Sequence, residues 1–173
     1  MVNAHRINRG QMPELNNQSR EGLDFYWVEA DEPDDAAHKI VEIVRCRIPA
    51  QFGFDPIREV QVLCPMNRGR IGARALNLDL QTALNGDQSK PSVVRFGCSF
   101  RSGDKVMQTI NDYDKDIFNG DLGFVHAVDP EAQQLVVLNS MAAWSTTTSA
   151  SSMSSSPAMR SAFTSPKDQN IRR

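Results

Sequence analysis

Phe100–Val125 reads FRSGDKVMQTINDYDKDIFNGDLGFV. Two short apolar stretches, Lys105–Thr109 and Leu122–Val125, bracket a run of Asn, Asp, Gly and Tyr. Gly103-Asp104 and Asn119-Gly120 suit tight turns, because glycine adopts positive φ without steric cost and Asn tolerates it. Val93–Phe96 lies upstream, and Leu135–Leu138 follows across Asp129-Pro130. Four short strands separated by Gly- and Asp-rich turns predict a small antiparallel barrel or sheet over residues 87–139.

The preceding residues carry a different period. After Asp31 and Pro33, apolar residues fall at Ala37, Ile40, Val41, Val44 and Ile48, one face of a helix that Pro49 and Gly53 are expected to end. Val60–Cys64 is a short apolar strand of the buried, parallel-sheet kind. A loop from Pro65 to Gly69 leads to a second helix bearing Ala73, Leu76, Leu80, Ala83 and Leu84, stopped at Asn85-Gly86. Residues 1–10 read as the end of a helix closed by Gly10, and Phe25–Val28 as a β-prone run. Residues 1–86 therefore predict an α/β unit ahead of the β module.

Composition bounds the rest. The chain has 173 residues, 40% hydrophobic, with a formal net charge of −2. That suffices for one domain with a sizeable core or two small ones. No apolar run reaches the roughly 20 residues of a membrane span, and the N-terminus lacks a signal peptide's apolar core, so a cytoplasmic protein without a membrane partner is expected. Residues 1–139 carry 15 basic against 20 acidic residues, yet Arg58–Lys105 reverses this locally with eight basic and four acidic. From Ser140 to Ser165 there are ten serines and four threonines. This segment offers too little apolar surface to offset ordering, so residues 140–173 are expected to be a disordered tail. Cys46, Cys64 and Cys98 are far apart and form no CxxC, which suits buried free thiols better than a disulfide framework or zinc site.

Two loops stand out chemically. Pro65-Met66-Asn67-Arg68-Gly69-Arg70 sits where a buried strand meets a helix, the end of an α/β sheet at which ligands gather. Backbone amides, Asn67, Arg68 and Arg70 there suit phosphates; a solvated turn is the other reading. Asn111 and Tyr113, in the long loop of the β module, suit hydrogen bonding to and stacking on an unpaired base. The nearby aspartates lack the Gly and Glu positions of an EF-hand loop. Asp31 and Glu32 after the Phe25–Glu29 run resemble a magnesium-holding acidic pair. No G-x-x-x-x-G-K-[ST] loop accompanies them, which favours helix-capping charges.

Taken together, Val60–Asn85 (VQVLCPMNRGRIGARALNLDLQTALN), Phe100–Val125 and Ala4–Leu15 (AHRINRGQMPEL) resemble the C-terminal motor half of RecD-like ATP-dependent DNA helicases. These belong to the UvrD-like superfamily and include the exodeoxyribonuclease V alpha subunit family. The resemblance covers roughly residues 3–139. It implies that residues 1–86 are a partial second RecA-like (P-loop NTPase type) domain and that 87–139 are a Src-homology-type antiparallel β-barrel inserted in it. It further implies a single-stranded DNA partner, with contacts from Asn67, Arg68 and Arg70 and, less directly, Asn111 and Tyr113. DNA unwinding and recombinational repair follow for the intact family, with ATP and Mg as its cofactors. The ATP-binding half, the family's other implied partner, has no counterpart here. The chain alone is therefore expected to hold no cofactor and to be inactive as an ATPase. A stand-alone single-stranded DNA-binding module and a non-enzymatic small-barrel interaction protein are the alternatives.

The tail departs from the resemblance. With GC-rich codons from Asn139 onward and one base restored in the Ser140 codon, the shifted frame decodes to a string ending HKSQGSEYP, the motif the resemblance implies next. A single-base deletion or sequencing error near codon 140 is therefore expected, and sequencing that stretch of genomic DNA tests it.

Overall fold

The computed structural model describes residues 2–14, 25–95, 97–139, 145–149, 153–154 and 159–161. Helix α1 spans Val2–Asn8 and ends at Gly10. Asn3 closes the turn beyond it by exchanging hydrogen bonds with the Glu14 backbone. Residues 25–28 run without strand pairing, in contrast to their β-prone reading. Tyr26 meets Phe52 edge-on at 6.3 Å.

Helix α2, Pro33–Glu42, begins with Glu32 as N-cap residue and Asp34 and Asp35 in its first turn, where the helix dipole favours acids. The helix does not stop at Pro49. It passes through a π turn, Ile43–Arg47, into α3, Ile48–Phe52, and ends at Gly53. Proline has no N–H for the carbonyl one turn back and its ring crowds that carbonyl. Widening the preceding turn accommodates both constraints, with Ile48 N–H bonding back to Ile43 O.

Strand β1, Val62–Cys64, is shorter than expected, and α4, Ala73–Leu84, follows it. Ala37, Val44, Cys64, Ala73, Leu76 and Leu80 form one buried core, with Ile40, Val60, Val62 and Ile71 packed against it. This is the α/β unit, and its apolar spacing put the right faces inward.

The β module has a second core: Val93, Phe100, Val106, Val125, Leu135 and Val137. Strands β2 (Ser92–Arg95) and β3 (Cys98–Arg101) form an antiparallel hairpin. Strands β4 (Lys105–Gln108), β5 (Leu122–Asp129) and β6 (Gln134–Asn139) form an antiparallel meander, with a register shift between Val125 and Ala127. The small antiparallel sheet expected here is present. Among the described residues no ladder joins the hairpin to the meander, although both feed one core.

Three stretches of the Ser/Thr-rich segment stand in strands. Strand β7 (Ser145–Ser149) pairs antiparallel with β6, β8 (Met153–Ser154) with β4, and β9 (Met159–Ser161) lies parallel to β1. β7 is a run of Ser and β-branched Thr, residues compatible with a pleated ladder, and β6 offers it an unpaired edge. The rest of residues 140–173, where a disordered tail is expected, lies outside the described residues. Cys64 is buried as expected, Cys98 is half-buried and Cys46 is exposed; Cys46 lies in the π turn on the solvent side, so burial does not protect it.

Candidate nucleic-acid interface

The loop between β1 and α4 is held by its own backbone. Gly69 has φ of 91°, a conformation glycine tolerates best. Gly72 is the N-cap of α4, and a Cβ there would stand 2.4 Å from Arg68 O. The loop therefore folds tightly over the start of the helix. Gly72 N–H bonds to Gly69 O, Ala73 N–H to Met66 O and Arg74 N–H to Asn67 O. Amides of this loop were expected to face an anion; the loop's own carbonyls occupy these three.

The three predicted side chains separate. Asn67 and Arg68 are exposed. Among the described residues Arg68 has no ion pair. Arg70 is directed at two carboxylates, Nε to Asp34 Oδ1 at 2.6 Å and Nη1 to Asp79 Oδ2 at 2.5 Å. Those hydrogen bonds, Asp79 first and Asp34 second, raise the Arg70 pKa above its ordinary value. Arg70 thus clamps the head of α2 to α4.

The second loop joins β4 to β5. Asp112 and Ile117 exchange backbone hydrogen bonds across its neck, and Tyr113–Lys115 form a single 3-10 turn at its tip. Asn111 Oδ1 accepts from Asn119 N–H at 2.7 Å while its Nδ2 donates to the Tyr113 hydroxyl at 2.9 Å. Phe118 meets Tyr113 edge-on at 6.2 Å. Tyr113 is 76% exposed despite these supports. An aromatic ring held in place with its surface in water is a ready stacking platform. Asn111, expected to touch a base, orients that ring.

Sequence reading missed two features. Phe118 supports Tyr113 from five residues on, a spacing with no helical or strand period. A groove of about 360 Å³ lies between the units, lined by Asp55, Arg58, Ser102, Phe124 and His126 among others, with the Arg58 guanidinium 5.3 Å above the Phe124 ring. Residues so far apart in sequence give no local signal.

The sequence has no phosphate loop, and Asp31 and Glu32 are exposed ahead of α2. Among the described residues no group of three or more His, Cys, Asp or Glu could hold a metal ion. Nor does any described helix have the length and apolarity to cross a membrane.

Residues 76–138 match the family model described as the SH3 domain of ATP-dependent RecD-like DNA helicases. These residues are therefore similar to a helicase-associated domain of the RecD-like type. The ATP-dependent RecD2 DNA helicase of Deinococcus radiodurans is 38% identical over 94 residues, which are 54% of this chain and 12% of that protein. This chain thus matches about an eighth of that relative's length. Two solved structures of Pif1 from Bacteroides sp. are similar. A double mutant is 13% identical with a TM-score of 0.39, covering 72% of this chain and 32% of that one. The form bound to single-stranded DNA is 16% identical with a TM-score of 0.36, covering 68% and 30%.

Proposed function

We propose that this chain is a fragment of a RecD-like ATP-dependent DNA helicase, of the exodeoxyribonuclease V alpha subunit family, that contributes single-stranded DNA contacts to unwinding and repair. In this reading the α/β unit is part of the second RecA-like motor domain and the β module is an SH3-type barrel. The ATP-binding half that this reading calls for is not among these residues, so by themselves they are expected to turn over no ATP; a cytoplasmic location goes with the helicase reading. The helicase match over residues 76–138 supports the ancestry. The observation that carries the DNA contact is Tyr113, exposed yet held by Asn111 and Phe118 within that matched segment.

Arg68 and Asn67 then neutralise and hydrogen-bond the phosphates, Tyr113 stacks a base, and Arg70 braces the first loop. Contacts of this kind position a strand without reading its sequence, so binding is sequence-tolerant and falls with salt. Titration of the full chain with a labelled oligothymidylate at several salt concentrations tests this. Arg68→Ala is expected to lower the salt slope by about one. Tyr113→Ala is expected to cost ~1–3 kcal/mol with the slope unchanged. Arg70→Ala leaves the slope as it was, because that guanidinium faces carboxylates. Absence of binding at low salt overturns the DNA reading, and an Arg68→Ala variant that binds like the parent removes this loop from it.

A further inference from the structure

The turn Arg101–Asp104 carries a buried carboxylate that neither loop uses directly. Asp104 is 3% exposed. Its Oδ2 accepts from Gln81 Nε2 at 2.6 Å and from Arg101 N–H at 2.8 Å, and its Oδ1 accepts from Asn85 Nδ2 at 2.8 Å. Gln81 lies on the last turn of α4 and Asn85 caps its end. Each amide nitrogen also bonds a backbone carbonyl of the β module, Gln81 to Ser99 O at 2.9 Å and Asn85 to Ser102 O at 3.0 Å. Lys90 Nζ completes the set on Asn85 Oδ1 at 2.6 Å. Both N–H groups of each amide point at oxygens, so neither amide can flip without facing oxygen to oxygen. A network this fully satisfied and this buried fixes one arrangement of the elements that share it.

Those elements form a continuous path between the two candidate loops. The Asn67–Arg68 loop folds over the N-terminus of α4, whose twelve residues rise about 18 Å. Asp104 grips the other end of that helix. Immediately after it β4 runs four residues, about 13 Å, to the base of the Tyr113 loop. We infer that Asp104 is a positioning residue that fixes the spacing of the Arg68 and Tyr113 loops, so that one single strand engages both at once. This rests on the DNA reading above. Two weak contacts on a rigid frame act at high effective concentration, and the gain is lost when the frame swivels, even though neither contact changes.

The test uses the full chain and oligothymidylates from about 4 to about 16 nucleotides, the range one small barrel occupies. The parent is expected to show a step of tenfold or more in affinity at the length that first spans both loops. Asp104→Asn keeps the shape but turns an N–H₂ either toward Asn85 Nδ2 or toward Gln81 Nε2 and Arg101 N–H, so donor faces donor on one side of the bracket. Its expected result is loss of that step with affinity for the shortest oligonucleotides unchanged. A step that survives in Asp104→Asn overturns the inference and leaves the DNA reading standing. Equal loss of short and long binding also overturns it, since that marks a merely structural role. No binding by the parent at any length sinks the DNA reading itself. If Asp104→Asn fails to fold by circular dichroism, Asn85→Ala replaces it under the same criteria, as it removes three of the bracket's bonds and leaves Gln81 and Arg101 on the carboxylate.

Discussion

The β module gathers its core from Val93 to Val137 by hairpins and a meander, each strand meeting a neighbour close in sequence. The α/β unit builds its core on a three-residue strand whose ladder partner, β9, comes from residues 159–161. The first arrangement buries Phe100, Val93 and Leu135 completely. The second buries Leu76 and Leu80 to 1% as well; each unit also leaves large apolar side chains exposed, Leu63, Tyr26, Trp27, Phe52 and Phe54 in the α/β unit and Val94, Ile110 and Tyr113 in the β module. Local pairing closes a small core with little loop-closure entropy, whereas a parallel ladder needs a distant return of the chain. The stretch matched by the helicase SH3 model, residues 76–138, contains the whole of the core from Val93 to Val137.

Replacing Phe100 by Ala is the harshest way to break that comparison. A fully buried ring lost from a small core is expected to cost about 3–5 kcal/mol. Hydrogen exchange should accelerate through β2–β6 while amides of α2 and α4 keep their protection. Uniform acceleration of both would show one cooperative unit and erase the distinction drawn above.

Gly72→Ala probes the α/β unit in the same spirit. The new methyl meets the Arg68 carbonyl, so the loop must shift, at a cost of about 1–3 kcal/mol. Denaturation of the variant, followed in parallel with oligonucleotide titration, should show weaker binding through the displaced Arg68 and an intact β module. Unchanged stability would mean the loop is looser than its hydrogen bonds suggest.

The smallest effect sharpens the seam between the units. Lys105 is 6% exposed and its ammonium donates to the Arg58 and Val60 carbonyls at 3.3 Å. Burial pushes its pKa below 10.5, with nearby Asp55 acting the other way. Between the lowered value and 10.5 the unfolded chain binds more protons than the folded one, so the Lys105 contribution makes stability rise with pH there. Urea melts of the parent and Lys105→Met across that alkaline window should diverge in the parent's favour as pH increases. Parallel curves would show that water reaches this ammonium.

Much of the architecture was legible because it depends on short-range spacing. The apolar stripe of Ala73, Leu76, Leu80 and Leu84 placed α4, and Gly-Asp and Asn-Gly placed the turns around β4 and β5. Strand β3 escaped notice because Cys98–Arg101 carries Phe100 as its one large apolar side chain, too little for a strand period. The π turn was hidden because Pro49 ordinarily ends a helix. Asn67, Arg68, Asn111 and Tyr113 were legible as candidates from residue type and loop position. The role of Arg70 was not, since its carboxylate partner Asp34 lies 36 residues away. The same holds for Gln81 and Asn85. They read as the polar side of a helix, and only the fold brings Asp104 to them.

That bracket bears on how the β module is cut and grafted. Composition changes at residue 86, which invites a boundary there, but Gln81 and Asn85 lie on the other side of it. A graft beginning at residue 87 discards both amide donors and uncovers a carboxylate that sits dry in the intact chain. A transplantable piece must carry the last two turns of α4 with it. The family model begins at residue 76, inside that helix, so the stretch it matches already includes them.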